Sequence, residues 1–189
     1  PKQDIAIIKH AHSGTNLFKQ WNPGDNNKDS AKWGEQYKAF VQTVKGGFAA
    51  LKKMGYKPVI KAILWQQGEG DAMVVEAANK YATNLQHFIK RVRQQFHVPE
   101  MLFIYGYVLS AHFEFAGRDA VRTAEKNIDQ NSGTSFAVKK AYLVDTDDLS
   151  LRANDKNSKY PNDKLHFGTQ GNWDLGTRMA DTIFKYRKK

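Results

Sequence analysis

Apolar and polar residues alternate along this chain in two different patterns. Short apolar runs occur at residues 5–11, 58–65, 101–109 and 141–145, and each run predicts a β-strand. Between and after these runs, apolar residues recur every three or four positions, which predicts helices. The predicted helices cover about residues 33–51, 73–92, 118–130 and 170–187. Regular alternation of strands and helices predicts an α/β fold, a three-layer α/β/α sandwich around a parallel sheet.

Composition narrows the classes of protein that this sequence can represent. A chain of 189 residues that is 41% hydrophobic can bury the core of one domain, and we predict a single domain over residues 1–189. The absence of cysteine excludes disulfides and thiolate chemistry. The formal net charge of +10 favours acidic partners, but the lysines are dispersed along helices, which disfavours nucleic acid. We predict no cofactor, and no membrane partner because no run approaches about 20 apolar residues.

The segment before the last predicted helix places an acid three residues ahead of a histidine, Asp163 and His166. A carboxylate at this spacing can accept a hydrogen bond from one imidazole nitrogen and leave the other nitrogen free as a general base. The same two residues can also do no more than close a turn before a helix that has Thr169 as its N-cap. This segment alone leaves both interpretations open.

A second polar segment follows the apolar run at residues 58–65. It contains Gln67, Glu69 and Asp71, with a glycine on each side of Glu69. In open α/β sheets, ligands bind at the carboxyl ends of the strands. We therefore expect this segment to contribute to a site, although Gln67 can also be a structural amide of the turn.

Together these segments resemble the SGNH-hydrolase superfamily, in its branch of sialate O-acetylesterase-like domains and carbohydrate esterase family six acetylxylan esterases. The W-x-Q-G-E-x-D block of that branch matches Trp65, Gln67, Gly68, Glu69 and Asp71, and its D-x-x-H-F block matches Asp163, His166 and Phe167. A pattern in the tail matches Gly171, Leu175, Gly176, Arg178 and Ala180. Residues 5–17, with Gly14, resemble the second strand of the family and the glycine turn that follows it.

The resemblance implies a flavodoxin-like sheet and a serine esterase that removes acetyl groups from xylan, sialic acid or a related carbohydrate. In that family pattern His166 is the base and Asp163 holds its tautomer. The oxyanion donors are the amide of the nucleophile, the Gly14 amide and the Gln67 side chain, supported by Gly68 and Glu69. Glu69 either positions this loop or acts as a second acid near the histidine. The resemblance also implies a secreted or periplasmic protein.

One element of the family pattern has no match. The family's nucleophilic serine lies in a G-x-S-N turn after the first strand, and this sequence contains no such motif. We therefore expect the serine to lie upstream of Pro1, and the first strand to be missing from this chain. In a sheet of order 2-1-3-4-5, that strand lies between the strands predicted at residues 5–11 and 58–65. A separate amino-terminal peptide or a partner chain that completes the sheet is thus a predicted partner, and re-pairing of the other strands is the alternative.

Other interpretations of the same sequence stay open. The domain can be a catalytically inactive glycan-binding or assembly module of this fold. Ser13 can be a displaced nucleophile, although its neighbours lack the expected context. His10 and His12 lie on one face of the predicted strand and could bind zinc, but no third ligand is evident, and we predict no metal site. The polar loops at residues 20–30 and 150–162 are candidates for a substrate-facing surface.

Overall fold

Three short parallel strands form the centre of the fold. The computed structural model describes residues 4–109 and 113–187. Within them lie β1 (Ala62–Trp65), β2 (Leu102–Gly106) and β3 (Ala141–Val144), in the spatial order β1-β2-β3. The register pairs Ala62 with Leu102 and Phe103 with Ala141. Parallel neighbours need crossover connections, and helices supply them here.

Six α-helices surround the sheet in the described chain: α1 (Glu35–Lys53), α2 (Glu69–Ala72), α3 (Val75–Asn79), α4 (Tyr81–Phe96), α5 (Arg118–Ile128) and α6 (Thr169–Tyr186). Short 3-10 helices cover Ser30–Lys32 and Arg152–Asn154. The helix predicted from about residue 73 is instead split into α3 and α4, which are separated at Lys80, and the extended backbone of Val74 separates α3 from α2. None of the described helices is both long and apolar enough to cross a membrane.

The two faces of the sheet carry separate apolar cores. Phe103 and Tyr105 of β2 pack into one core with buried residues of α1, α4 and α5. Ile104 of β2 points to the opposite face and packs into a second core with Leu175 and Met179 of α6. Side chains alternate between the faces of a strand, so a strand buried on both faces lies between two helix layers. The predicted α/β/α sandwich with a parallel sheet is confirmed.

The strand predicted at residues 5–11 is wrong. Residues 4–12 form no regular secondary structure, and the side chains of Ile5 and Ile7 are 85% and 89% exposed. Ile8 packs against α1, where a Cβ at Gly47 would lie 2.5 Å from Ile8 Cδ1, and His10 packs against Trp21. A strand is stabilised by hydrogen bonds to a neighbour, and no described strand lies beside this segment.

The strand predicted at residues 58–65 is shorter and less buried than expected. Only Ala62–Trp65 is β-structure, and Leu64 is 52% exposed. In the described chain β1 has a strand neighbour on one side only, β2. The amide of Leu102 donates to Lys61 O, so in a parallel ladder residues 61, 63 and 65 face β2 while Ala62 and Leu64 face the opposite edge. We call this edge of Ala62 and Leu64 the open edge.

Candidate active site

Asp163 and His166 form a hydrogen-bonded pair just before α6. His166 Nδ1 lies 2.9 Å and 3.0 Å from the two carboxylate oxygens of Asp163. Backbone amides of Leu165 and His166 also donate to Asp163 Oδ1, at 3.1 Å and 3.0 Å. Burial alone would raise the pKa of Asp163, but the hydrogen bonds from His166 and Leu165 outweigh it and lower that pKa. An ionised Asp163 accepts the Nδ1 proton, which leaves Nε2 of the exposed ring as the basic nitrogen.

The start of α6 is capped by Asp155 and not by Asp163. Asp155 accepts hydrogen bonds from Thr169 N and Thr169 Oγ1 at 3.0 Å, while Gly168 is the N-cap residue and Thr169 is the first residue of α6. A Cβ at Gly168 would lie 2.7 Å from the backbone oxygen of Leu151, which leaves no room for a side chain. Since Asp155 satisfies the start of α6, Asp163 is available to His166.

The loop at residues 150–162 is hydrogen-bonded to the backbone of both Asp163 and His166. Arg152 N donates to His166 O at 2.8 Å, and Ala153 N donates to Asp163 O at 2.9 Å. The Arg152 guanidinium contacts Asp163 Oδ2 at 3.2 Å. The first part of this loop therefore fixes the backbone of the pair. Whether the rest of the loop faces substrate stays a prediction.

The Gln67 side chain points into the protein rather than to solvent. It is 9% exposed, and its Nε2 donates to Asp71 Oδ2 at 2.9 Å and to Thr15 O at 3.4 Å. The hydroxyl of Tyr81 donates to the backbone carbonyl of Gln67. Both N–H groups of the amide thus have acceptors, and the bond to Thr15 is the longer one. Gln67 as an oxyanion donor stays a prediction, and it requires that this longer bond be exchanged for the oxyanion.

The glycine turn at Gly14 lies against the Gln67 segment. Gly14 has a φ of +70°, a conformation that favours glycine. Three and four residues later, Leu17 N and Phe18 N donate to the carboxylate of Asp71 at 2.7 Å and 3.0 Å. Burial raises the pKa of Asp71, although these hydrogen bonds and the one from Gln67 oppose the rise. The structure therefore joins the segments that carry both predicted oxyanion donors of this chain.

Glu69 follows Gln67 and Gly68 in the same polar segment. Its Oε2 accepts a hydrogen bond from Gly68 N at 3.0 Å. Burial raises the pKa of Glu69, although the hydrogen bond from Gly68 and the nearby charge of His166 oppose the rise. Gly68 has no room for a side chain, because a Cβ there would lie 2.7 Å from Val108 Cγ2. Both proposed roles of Glu69 stay open.

Glu125 is a buried acid that the sequence interpretation missed. It lies in α5 with 1% exposure and accepts a hydrogen bond from Val108 N at 3.2 Å. Burial raises its pKa well above the usual range for a glutamate, and Glu69 adds to the rise. The signal was present in the sequence: Val121, Ala124, Glu125 and Ile128 form the buried stripe of α5. An acid in such a stripe is expected to be protonated or paired.

Ser13 and the two histidines near it are not assembled into a site in the described chain. Ser13 is exposed in a turn and makes no hydrogen bond to His166. His10 Nε2 lies 3.0 Å from Gln36 Oε1, and its ring packs edge-on against Trp21. Over residues 4–109 and 113–187, no group of three or more His, Cys, Asp or Glu side chains could hold a metal ion.

Comparisons with known proteins identify the family of this chain. A family described as carbohydrate esterase, sialic acid-specific acetylesterase matches residues 1–185. The chain belongs to this family. A protein of Arabidopsis thaliana named a probable carbohydrate esterase is 27% identical over 176 residues, which cover 93% of this chain and 54% of that protein. The chain thus spans about half the length of this relative.

The structural comparison concerns the fold of this chain. An X-ray structure of an Arabidopsis thaliana protein matches with a TM-score of 0.65 and 24% identity, and the match covers 92% of this chain and 58% of that one. At this identity the likeness concerns the arrangement of strands and helices. Activity and substrate have to be inferred from the site itself.

Proposed function

We propose that this carbohydrate esterase family member removes acetyl groups from a polysaccharide or from sialic acid by a serine mechanism. The hydrogen-bonded pair of Asp163 and His166 carries the proposal. Nδ1 of His166 lies 2.9 Å from a carboxylate oxygen of Asp163, while Nε2 of His166 has no hydrogen bond to any described residue. A general base needs one oriented nitrogen and one free nitrogen at an accessible surface.

In this mechanism a serine hydroxyl attacks the acetyl carbon while His166 Nε2 takes the hydroxyl proton. The tetrahedral carbon then expels the sugar oxygen, which receives that proton from His166. Water, deprotonated by the same nitrogen, then attacks the carbonyl carbon of the acetylated serine, and acetate is released as the serine oxygen leaves and receives that proton from His166. Gly14 and Gln67 would stabilise the negative charge on the carbonyl oxygen, which is usually the largest catalytic contribution.

We further propose that the serine enters on an additional strand at the open edge. Ala62 and Leu64 direct backbone groups to this edge, and parallel strands bind through such groups. The apolar side chains of Ile5, Ile7 and Leu64 are exposed in its absence, and burial of each would contribute about 1.5–3 kcal/mol. A parallel strand would end beside the Gln67 segment, where both predicted oxyanion donors lie.

The test is an assay of chromogenic acetate hydrolysis by the 189-residue chain, alone and with a synthetic segment that carries an apolar strand and a G-x-S-N turn. We expect negligible turnover by the chain alone and turnover when the segment is added. A segment with serine replaced by alanine is the matched control and should give none. Full activity of the chain alone that disappears in Ser13→Ala would place the nucleophile at Ser13 and contradict the proposal.

A glycan-binding module without catalysis is the second candidate. The observation in its favour is that no serine or threonine hydroxyl in the described residues bonds to His166 Nε2. Saturable binding of an acetylated glycan with no acetate release, both with and without the added segment, would support this second function.

A further inference from the structure

We propose that Asp71 is the positioning residue that assembles the oxyanion site, because its one carboxylate holds the segments of both Gly14 and Gln67. The catalytic consequence rests on the proposed esterase function. The hydrogen bonding itself does not, so the two can be tested separately.

Asp71 is a buried carboxylate with three hydrogen-bond donors from two distant parts of the chain. Oδ2 accepts from Leu17 N at 2.7 Å and from Gln67 Nε2 at 2.9 Å. Oδ1 accepts from Phe18 N at 3.0 Å. The side chain is 0% exposed, so water cannot replace it as the acceptor. Loss of the carboxylate would leave buried N–H groups without partners, a state that proteins avoid.

The bond to Asp71 fixes the direction of the Gln67 amide. A primary amide has two N–H groups in one plane, so fixing one of them also aims the other. Here the second N–H points to Thr15 O, one residue after Gly14, over the longer distance of 3.4 Å. That N–H is the one that an oxyanion could take over. Asp71 therefore determines where the Gln67 donor lies relative to the Gly14 turn.

The two segments touch directly around this carboxylate. A Cβ at Gly70 would lie 2.6 Å from Thr15 O, so the backbone next to Asp71 packs on the backbone next to Gly14. Thr15 is held in turn by the Trp21 indole, whose Nε1 donates to Thr15 Oγ1 at 2.9 Å. Small movements of Asp71 would thus move both predicted donors, and errors of about 1 Å at such a site reduce turnover strongly.

The experiment compares Asp71→Asn with Asp129→Asn in the 189-residue chain with the added synthetic segment that carries the G-x-S-N turn. Asp129 is a matched control, because its carboxylate also accepts from two backbone amides, Asn131 N and Leu143 N, both at 2.8 Å. Asparagine has one acceptor oxygen and an NH₂ group, so it cannot satisfy donors on both sides of the original carboxylate. Each variant loses hydrogen bonds between distant segments, but only Asp71→Asn touches the predicted oxyanion donors.

We expect Asp71→Asn to lower kcat by about 10- to 100-fold with KM within about twofold, and to speed hydrogen exchange at Leu17 and Phe18. Asp129→Asn should lower Tm without changing kcat. Unchanged kcat in a folded Asp71→Asn variant, or an equal loss in both variants, would overturn the proposal. If Asp71→Asn does not fold, hydrogen exchange in the parent protein decides, because rapid exchange at Leu17 and Phe18 would contradict the positioning role of Asp71. Changed exchange without turnover in any variant would instead reject the esterase function and retain the hydrogen-bonding role of Asp71.

Discussion

The two regions that meet at the candidate site are stabilised in different ways. The pair of Asp163 and His166 is complete within a short stretch of chain, since residues 150–155 and 163–169 supply its hydrogen bonds. The region around β1 is stabilised by fewer contacts: among the described residues β1 has a strand on one side only, and the side chain of Leu64 is exposed. A site made by local hydrogen bonds forms wherever its segment folds. A site that depends on a sheet needs every strand of that sheet.

The largest expected effect is at the pair of Asp163 and His166. In the chain with the added segment, His166→Asn should lower acetyl-ester turnover by at least about a thousandfold, as removal of a triad base does. We expect little change in Tm. His97→Asn is the control, because His97 adopts a left-handed conformation with φ 54° that asparagine tolerates. Turnover of the His97→Asn variant should be unchanged. A loss below about tenfold in His166→Asn would remove histidine from the mechanism.

The next effect concerns the junction of the two regions. Gln67→Ala should reduce kcat by roughly 10- to 1000-fold while KM changes little, because the donor acts on charge that develops in the transition state. Gln66→Ala is the matched control, since Gln66 is the preceding residue and its Nε2 donates to Tyr107 O at 3.0 Å instead. If KM rises and kcat does not fall in Gln67→Ala, this amide binds substrate rather than the oxyanion.

A smaller effect is expected at the open edge. Leu64→Pro removes an N–H that faces this edge and leaves the β2 ladder intact, so binding of the added segment should weaken by about tenfold. Leu64→Ala keeps the N–H and separates the backbone effect from the side-chain effect. Equal affinities of the proline and alanine variants, measured by fluorescence anisotropy of a labelled segment, would show that the segment binds elsewhere.

The smallest effect on activity, and a clear one on stability, is expected from Glu125→Gln. Burial raises the pKa of Glu125, so above pH about 4.3 folding must keep a proton that the unfolded chain has released. Stability is therefore lost as pH rises, by at most about 1.4 kcal/mol per pH unit from this group. The variant should be more stable than the parent at pH 8 and equal at pH 4.

Thermal unfolding measured across this pH range checks the prediction for Glu125. Glu69, Arg122 and Asp147 also act on this carboxyl, so the difference between variant and parent is the informative quantity. Glu76→Gln is the control: that acid is exposed and bonds to Lys80, and its removal should give no stabilisation at pH 8. A variant that is less stable than the parent at pH 8 would show that Glu125 is ionised in the fold.

Local features of the fold could be predicted from the sequence. The end of α1 before Gly55 follows from one residue, since its φ of +86° favours glycine. The pair of Asp163 and His166 follows from three-residue spacing. Features that depend on distant partners could not be predicted in this way. The strand expected at residues 5–11 has the right residues but no strand beside it in the described part of the chain, and two of the donors to Asp71 come from residues 17 and 18.

Treatment with a fluorophosphonate ester tests the central claim most directly, because the reagent modifies a serine only when a base activates it. The modified site is then located by mass spectrometry of digested protein. We expect no adduct on the 189-residue chain alone. With the added synthetic segment bound, we expect one adduct on the serine of that segment. We expect no adduct when His166 is replaced by asparagine. An adduct on Ser13, or on the segment serine regardless of the residue at position 166, would contradict a strand-supplied nucleophile that is activated by His166.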